Sequence, residues 1–103
     1  MALNLIRLKS GKRYSELKLL VKAGVIYGLE LQKKYTLLDK FVFNGEKHRE
    51  IIYKADFVYW DTEKQCIVIE DVKGYKTKEY NIKKKLLLNM LKDDDVCYEF
   101  LEI

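Results

Sequence analysis

Two aspartates and one lysine are the residues whose types and spacing best suit catalysis in this 103-residue chain. Asp71 and Lys73 stand one residue apart in an apolar segment that ends at Gly74. Alternate residues of a β-strand point to one face of its sheet, so this strand would present a carboxylate and an ammonium group together. Asp56 interrupts an earlier strand-like segment, and a neighbouring strand would bring it to the same place. Such a trio can hold a divalent cation and a phosphate side by side.

The chemistry that this trio favours is hydrolysis of a phosphodiester. A divalent metal offsets the negative charge of the phosphate and lowers the pKa of a bound water. Magnesium prefers oxygen ligands and keeps several waters, so Asp56, Asp71 and the backbone carbonyl of Val72 would be enough to bind it. Lys73 would orient the attacking water or stabilise charge on the phosphate.

The alternative is structural, because an acid and a lysine two residues apart on a strand often form a surface ion pair worth about 0–1 kcal/mol. Two observations favour a functional role. Asp71 closes the most hydrophobic strand-like segment of the chain, where a charge is costly, and Asp56 interrupts a second apolar segment.

Hydrophobic periodicity predicts the elements that would position these residues. In chain order they are a helix, three strands in a meander, a helix and a closing strand, over about residues 11–23, 29–37, 49–60, 65–72, 77–91 and 96–103. The predicted class is α/β: a mixed sheet of about four to five strands, flanked by two helices, with the last strand parallel to a central one. The chain has no proline and no Ser/Gly-rich linker, so residues 1–103 are predicted to form one domain.

Local patterns make this prediction more specific. Asn44-Gly45 indicates a hairpin turn before the second strand, and Thr77 indicates the N-cap of the second helix. That helix would carry an apolar stripe of Ile82, Leu86 and Met90, which Leu87 and Leu91 widen. Strict alternation in the second strand would place Asp56 on one face and a set of apolar residues on the other, namely Ile51, Tyr53, Ala55, Phe57 and Tyr59.

Basic residues are concentrated in two segments of a chain whose formal net charge is +4. The first 22 residues contain six Lys or Arg against Glu16, and residues 73–85 contain six Lys against Glu79. This distribution is compatible with a phosphate backbone as partner, although a solvated helix face would look the same. The residues expected to contact DNA are Lys54, Tyr75, Lys76, Lys78 and Lys84.

Several other classes of protein are disfavoured. Cys66 and Cys97 lack a metal-type spacing and lie in strand-like segments, so we expect buried free thiols and a reducing, cytoplasmic location. No apolar run approaches the roughly 20 residues of a membrane span, and the first residues are too mixed for a secretory signal. His48 is the single histidine, which argues against a zinc site or a histidine-based triad.

The arrangement of these residues resembles the PD-(D/E)XK nuclease superfamily, in which an aspartate is followed by acid-x-lysine on the next strand. The resemblance covers the chain from about Tyr14 to the C-terminus. Within that superfamily, the chain most resembles a small phage-associated endonuclease family that was long catalogued as a domain of unknown function. The similar segments are Glu16–Leu20, Ala23-Gly24, Leu29–Gln32, Tyr53–Tyr59, Glu70–Gly74 and Thr77.

This resemblance implies a restriction-endonuclease-like core and metal-dependent cleavage of DNA. Asp56 and Asp71 match the metal-binding acids of the superfamily, and Lys73 matches its catalytic lysine. Many members carry a further acid on the first helix, for which Glu16 is the candidate here. The family often has that acid earlier, where this chain reads Ser10-Gly11-Lys12, so a solvent-exposed Glu16 is an equal alternative.

Two further residues lie close to the motif. Glu70 should face away from Asp71 on an ideal strand, which favours a structural role over a catalytic one. Gln32 lies in a block that resembles the family's Gln-Pro, but Lys33 replaces the proline. Gln32 would either position water or phosphate near the site or be a solvated strand residue.

The sequence therefore predicts a magnesium- or manganese-dependent endodeoxyribonuclease. The resemblance points to phage DNA recombination, repair or processing in the host cytoplasm, with structure-specific cleavage of branched DNA such as a Holliday junction. By analogy with junction-resolving relatives, a homodimer would bring two sites to two strands. The alternatives are a non-catalytic nucleic-acid-binding domain and a phage assembly protein.

Overall fold

A computed structural model describes residues 2–72 and 76–103, with side chains from Ser10 onward. These residues form two helices and six strands. In chain order the elements are α1 (Ala2–Lys22), β1 (Ile26–Leu38), β2 (Phe41–Phe43), β3 (Glu46–His48), β4 (Ile51–Asp61), β5 (Cys66–Asp71), α2 (Lys78–Leu91) and β6 (Tyr98–Glu102).

Four of the strands form a mixed sheet in the order β1-β4-β5-β6. β1, β4 and β5 are antiparallel neighbours, and β6 returns through α2 to pair parallel with β5. α1 covers one face of the sheet through Leu17 and Leu20, and α2 covers the other through Tyr80, Leu87 and Leu91. The predicted α/β class, with its mixed sheet, two flanking helices and parallel last strand, is confirmed.

β5 is a central strand that is buried on both faces. Val68 packs in the cluster on the α1 face, and Ile69 packs in the cluster on the α2 face. Their exposed fractions are 0% and 1%. This is what the continuous Ile-Val-Ile run predicts, because a strand covered on both sides has no polar face. Any acid at the end of this strand is therefore surrounded by apolar neighbours.

The ends of the helices match the sequence signals in three cases out of four. Thr77 caps α2, since its Oγ1 accepts a hydrogen bond from the Tyr80 backbone N–H at 3.0 Å. α1 ends just before Gly24, whose φ of +75° suits a glycine after a helix. The predicted start near residue 11 is wrong, because α1 continues through Gly11, which costs a helix only about 1 kcal/mol. Neither described helix is long and apolar enough to cross a membrane.

The predicted turn at Asn44-Gly45 is present, but it joins different strands from those expected. Both residues have positive φ, as a two-residue hairpin of this type requires. The turn connects β2 to the short β3, which together form a separate two-stranded sheet. β4 pairs with β1 instead, so the second arm of the predicted hairpin is a neighbour of the first long strand.

The alternation predicted for β4 breaks at Asp56. Tyr53 and Ala55 pack with Val58 on the α2 face, whereas Phe57 and Tyr59 pack on the α1 face. The prediction that all the odd-numbered apolar residues share one face is therefore wrong.

The neighbouring strand β1 shows the same break in alternation, at the position opposite Asp56. Leu29 packs on the α1 face, whereas Tyr35 and Leu37 pack on the α2 face. Gln32 lies between them with φ of +54°, a conformation that only a few per cent of non-glycine residues adopt. Leu31 pairs with Phe57 and Lys33 with Ala55, so Gln32 and Asp56 occupy the same step of the ladder. Each strand uses one residue to change faces, and the register is preserved.

Of the apolar stripe predicted for α2, only the part that Leu87 and Leu91 add is buried. Ile82, Leu86 and Met90 are exposed by 61%, 42% and 45%, whereas Leu87 and Leu91 are buried. Helical periodicity identifies an apolar face, but Tyr80 provides the first sheet contact and sets which part of that face packs.

The expectation of free thiols is wrong as well. Cys66 and Cys97 form a disulfide, with their Cα atoms 4.6 Å apart. The cause is the parallel register of β5 and β6, which pairs Ile67 with Tyr98 and so brings the two preceding residues together. The spacing of cysteines along a sequence cannot reveal a contact that depends on strand register.

Candidate active site around Asp56 and Asp71

Asp56 stands where β4 and β5 stop pairing through their backbones. The last backbone pair joins Phe57 to Glu70. Beyond it, Asp56 Oδ2 accepts a hydrogen bond from the Val72 backbone N–H at 2.7 Å, and Asp56 Oδ1 accepts one from Gln32 Nε2 at 2.9 Å. The side chain is half-buried. Its carboxylate is thus fixed by two donors while still partly accessible to solvent.

Asp71 is the last residue of β5, and it is fully buried on the face that α2 covers. Tyr53 of β4 donates its hydroxyl to Asp71 Oδ2. Burial, together with this hydrogen bond, raises the pKa of Tyr53 far above its usual value. The ring of Tyr80 on α2 lies 6.3 Å from that of Tyr53. Two tyrosines therefore separate the buried carboxylate from the start of α2.

Glu70 is equally buried, but its carboxylate lies on the opposite face. Arg13 of α1 binds it with two parallel hydrogen bonds of 2.7 Å, from Nε to Oε1 and from Nη2 to Oε2. Tyr59 donates its hydroxyl to the same Oε2. The bond to Glu70 raises the pKa of the Arg13 guanidinium, so Arg13 keeps its positive charge. This is the face-away geometry that strand alternation predicts for Glu70.

Glu16 lies on the same side of the sheet as Glu70 and does not touch either aspartate. Its Oε2 forms an exposed ion pair with Arg13 Nη1 at 3.0 Å, one turn earlier on α1. The side chain is 48% exposed. Of the two interpretations of Glu16, this geometry matches the exposed one, because Arg13 links it to Glu70 rather than to Asp71.

The two predicted metal-binding acids come together through Val72. Asp56 accepts a hydrogen bond from the backbone N–H of Val72, the residue directly after Asp71, so both acids lie at the end of β5. Lys73 and Tyr75, which the sequence assigns to catalysis and DNA contact, lie outside the described residues. The side chain of Val72 is buried in the α1-face cluster, which leaves its backbone as the part near the site.

The oxygen atoms at this position suit a magnesium or manganese ion. Each Asp56 oxygen accepts one hydrogen bond and has a second lone pair for a cation. In the described part of the chain, no three His, Cys, Asp or Glu side chains are grouped to hold a metal. The predicted set is smaller, two carboxylates and one carbonyl, as expected for a magnesium ion that keeps most of its waters.

Two of the lysines predicted to contact DNA share one partner. Lys84 Nζ lies 2.9 Å and Lys76 Nζ lies 3.2 Å from Glu102 Oε1 at the end of β6. Tyr80 donates its hydroxyl to Glu102 Oε2 at 2.7 Å. These hydrogen bonds, that from Tyr80 first, lower the pKa of Glu102 to about 2. We call this group of Lys76, Tyr80, Lys84 and Glu102 the basic rim.

A cleft of about 340 Å³ lies between β4 and the start of α2, next to the Tyr53–Asp71 contact. Lys54 is exposed there, and Lys78 is exposed at the first position of α2. The residues that line the cleft are Ile52, Tyr53, Lys54, Thr77, Glu79, Tyr80 and Lys83. Exposed lysines and a helix N-terminus beside a cleft make a local environment that attracts anions.

The residues that sequence reasoning missed are the partners of the buried acids. Sequence reasoning does not identify Arg13, Tyr53, Tyr59 or Glu102, and it interprets the tyrosines as packing residues. A usable signal was present, because a buried carboxylate must be hydrogen-bonded and tyrosines on the adjacent strand are natural donors. The pairing of Arg13 with Glu70 spans 57 positions and had no local signal.

Comparison with known proteins gives one finding. Residues 7–99 match a family model described as a protein of unknown function, DUF1064. No curated protein and no solved structure matches the chain. The matched range includes Asp56, Asp71 and the residues that hold them. Because it covers most of the sequence, the chain belongs to the DUF1064 family of proteins of unknown function.

Proposed function

We propose that this protein is a metal-dependent endodeoxyribonuclease of the PD-(D/E)XK type. The observation that carries the proposal is the convergence of Asp56 and the fully buried Asp71 on the end of the central strand. A carboxylate at such an apolar position is costly unless it has a function or a partner. A few polar groups that lie together beside a cleft are typical of binding and catalytic sites.

Asp56 and Asp71 would hold a magnesium or manganese ion, with the Val72 carbonyl as a further oxygen. When bound, such an ion offsets the charge of the phosphate and lowers the pKa of a coordinated water. Gln32 and the Val72 N–H hold Asp56, and Tyr53 holds Asp71. These are positioning residues, since they touch the carboxylates rather than the substrate. Lys73 keeps the catalytic role that the sequence motif assigns to it.

The proposed substrate is DNA, and the support is the distribution of positive charge. Lys54 and Lys78 are exposed beside the cleft, and the basic rim adds Lys76 and Lys84. In the proposed complex, these exposed cations would bind the phosphates that flank a scissile bond. Specificity for branched DNA and a homodimeric state remain predictions from the resemblance to junction-resolving nucleases.

The test is a cleavage assay on linear duplex, single-stranded and four-way-junction DNA, with magnesium, manganese or EDTA. We expect the wild type to cut at least one substrate when a metal is present. Asp71→Asn and Lys73→Ala should remove cleavage while leaving DNA binding similar. Asp93→Asn is the matched control, because it makes the same change at an exposed acid of the α2–β6 turn. Circular dichroism of each variant separates loss of activity from loss of folding.

One observation favours a second function, that of a non-catalytic nucleic-acid-binding domain. Both carboxylates accept hydrogen bonds within the protein, which is also how a purely structural polar network would look. Salt-sensitive DNA binding, with no cleavage of any substrate under any metal condition, would establish this alternative. An absence of both would leave the assembly role predicted from the sequence.

A further inference from the structure

The basic rim has the donor set of a phosphate site, but a carboxylate of the same chain occupies it. Two ammonium groups and one hydroxyl converge on the side chain of Glu102, at 3.2, 2.9 and 2.7 Å. Two oxygens of a phosphate in the same position would accept the same three hydrogen bonds, two from the lysines at one oxygen and one from Tyr80 at the other, because carboxylate and phosphate oxygens are both acceptors for lysine and tyrosine. Glu102 is the single acid in this group.

The rim lies directly beside the candidate site. In the parallel register of β5 and β6, Glu102 is the partner of Asp71. Phe100, two residues earlier on β6, packs on the α2 face, so Glu102 points to the same face as Asp71. Tyr80 connects the two, since its hydroxyl binds Glu102 and its ring neighbours that of Tyr53.

The ion pairs of the rim are accessible to a ligand. The side chain of Lys76 is 53% exposed, and those of Lys84 and Glu102 are 27% and 23% exposed. Partly exposed ion pairs of this kind contribute little to stability, so a phosphodiester can replace the carboxylate at small cost. A fully buried pair, such as Arg13 with Glu70, could not be exchanged in this way.

We propose that Glu102 is an internal competitor for DNA: it holds Lys76 and Lys84 in the free protein and releases them to a backbone phosphate on binding. The inference rests on the DNA-binding part of the proposed function and not on cleavage. It assigns the rim as a phosphate subsite next to Asp71, with Tyr80 as its neutral donor. Glu102 thereby limits affinity, since binding must first break its two ion pairs.

The experiment compares Glu102→Gln with Glu99→Gln in a binding assay without divalent metal. Glu99 is the matched control, because it lies on the same strand and pairs with the exposed Lys64 at 3.1 Å. Both variants lose one negative charge, so a general charge effect is identical in the two. The probe is a fluorescein-labelled DNA duplex in EDTA, and the readout is fluorescence anisotropy at several salt concentrations.

We expect Glu102→Gln to bind the duplex about 3- to 30-fold more tightly than Glu99→Gln, the effect of releasing two exposed ion pairs. The salt dependence should stay about the same, because both lysines contact phosphate in the wild-type complex as well. Adding Lys84→Gln to Glu102→Gln should remove most of the gain. Thermal unfolding of each variant reports whether Glu102 matters for stability instead.

Equal affinities of Glu102→Gln and Glu99→Gln would overturn the inference. So would weaker binding by Glu102→Gln together with a lower melting temperature, because Glu102 would then be only a tie between β6 and α2. Cleavage by the wild type with no gain in Glu102→Gln would refute the inference and leave the nuclease proposal standing. A gain in binding without any cleavage would support the inference and refute the nuclease proposal. No salt-sensitive binding by any variant would refute both.

Discussion

Glu70 and Asp71 are consecutive, equally buried acids, but their hydrogen-bond partners differ. Glu70 points to the α1 face, where the Arg13 guanidinium engages both of its oxygens and Tyr59 adds a third donor. Asp71 points to the α2 face, where the Tyr53 hydroxyl binds it. The ring of Tyr80 lies beside that of Tyr53, and the Tyr80 hydroxyl binds Glu102 in the basic rim. The first network continues through Arg13 to an exposed acid, Glu16, whereas the second connects through Tyr80 to the accessible cations Lys76 and Lys84.

Under the nuclease proposal, this difference separates a structural acid from a catalytic one. A carboxylate engaged by a bidentate arginine has little capacity left for a metal or a substrate. A carboxylate held by a hydroxyl near a cleft keeps lone pairs for a cation. The same strand end therefore carries one acid that secures α1 to the sheet and one that suits a reaction. Substitutions on the two sides should produce opposite combinations of stability loss and activity loss.

The largest effect on stability is expected at Arg13. Arg13→Met leaves the Glu70 charge buried without its cation, which should lower the free energy of unfolding by about 3–5 kcal/mol. Chemical denaturation measures the loss, and Lys12→Met is the control at an exposed neighbour. The double variant Arg13→Met/Glu70→Gln should recover most of the stability, because no buried charge remains. A loss below about 1 kcal/mol for Arg13→Met would place this ion pair among the weak surface pairs.

The largest effect on activity is expected at Asp71. Under the nuclease proposal, Asp71→Asn should lower the cleavage rate by about 10²–10³-fold or more, as loss of a directly engaged electrostatic group does. Glu70→Gln makes the same chemical change one residue earlier. It should lower stability while the folded fraction retains its cleavage rate per molecule. Equal loss of cleavage in the two variants would show that the two faces are not functionally distinct.

Substitutions of Tyr53 and Tyr59 test the same comparison with smaller expected effects. Tyr53→Phe removes the hydroxyl bound to Asp71, and Tyr59→Phe removes the one bound to Glu70. Each should cost about 1–3 kcal/mol of stability, since a buried carboxylate loses a donor. Cleavage should fall about 10- to 100-fold for Tyr53→Phe alone, as expected for a residue that orients a metal ligand. Denaturation and single-turnover kinetics on the two variants measure these effects. An equal decrease in cleavage for Tyr59→Phe would contradict the division of roles.

The sequence predicted the motif better than the surroundings of the motif. The class, the parallel last strand and the Thr77 cap follow from periodicity and local signals, and the structure has all three. The change of faces at Gln32 and Asp56 could not be predicted, because strict alternation is the assumption that a β-pattern rests on. That irregularity gives Asp56 its two donors, from β1 and from beyond β5.

The remaining failures have a common physical cause. The disulfide and the Arg13–Glu70 pair depend on which elements pack together, and the chain separates these partners by 31 and 57 positions. The orientation of α2 likewise depends on Tyr80 meeting the sheet. Local patterns identify elements and their apolar faces, but not the rotation or register with which those elements meet. The sequence can name the acids as candidates because their motif is local, and it cannot name their partners because those residues are distant along the chain.

The smallest expected effect concerns the basic rim and depends on pH. The pKa of Glu102 is lowered from 4.5 to about 2, mainly by the Tyr80 hydroxyl and then by Lys84. A carboxyl group with a depressed folded-state pKa contributes stability that is fully present above its unfolded pKa. That stability is lost as the pH falls through the folded value. The contribution of Glu102 should therefore be complete above about pH 5 and disappear towards pH 2.

Thermal melts of wild type and Glu102→Gln across this range should converge at the acid end, whereas the difference between wild type and Glu99→Gln should change less. If the wild-type and Glu102→Gln curves stay parallel down to pH 2, the hydrogen bonds to Glu102 do not stabilise its ionised form, and the rim would not bind a phosphate through those donors.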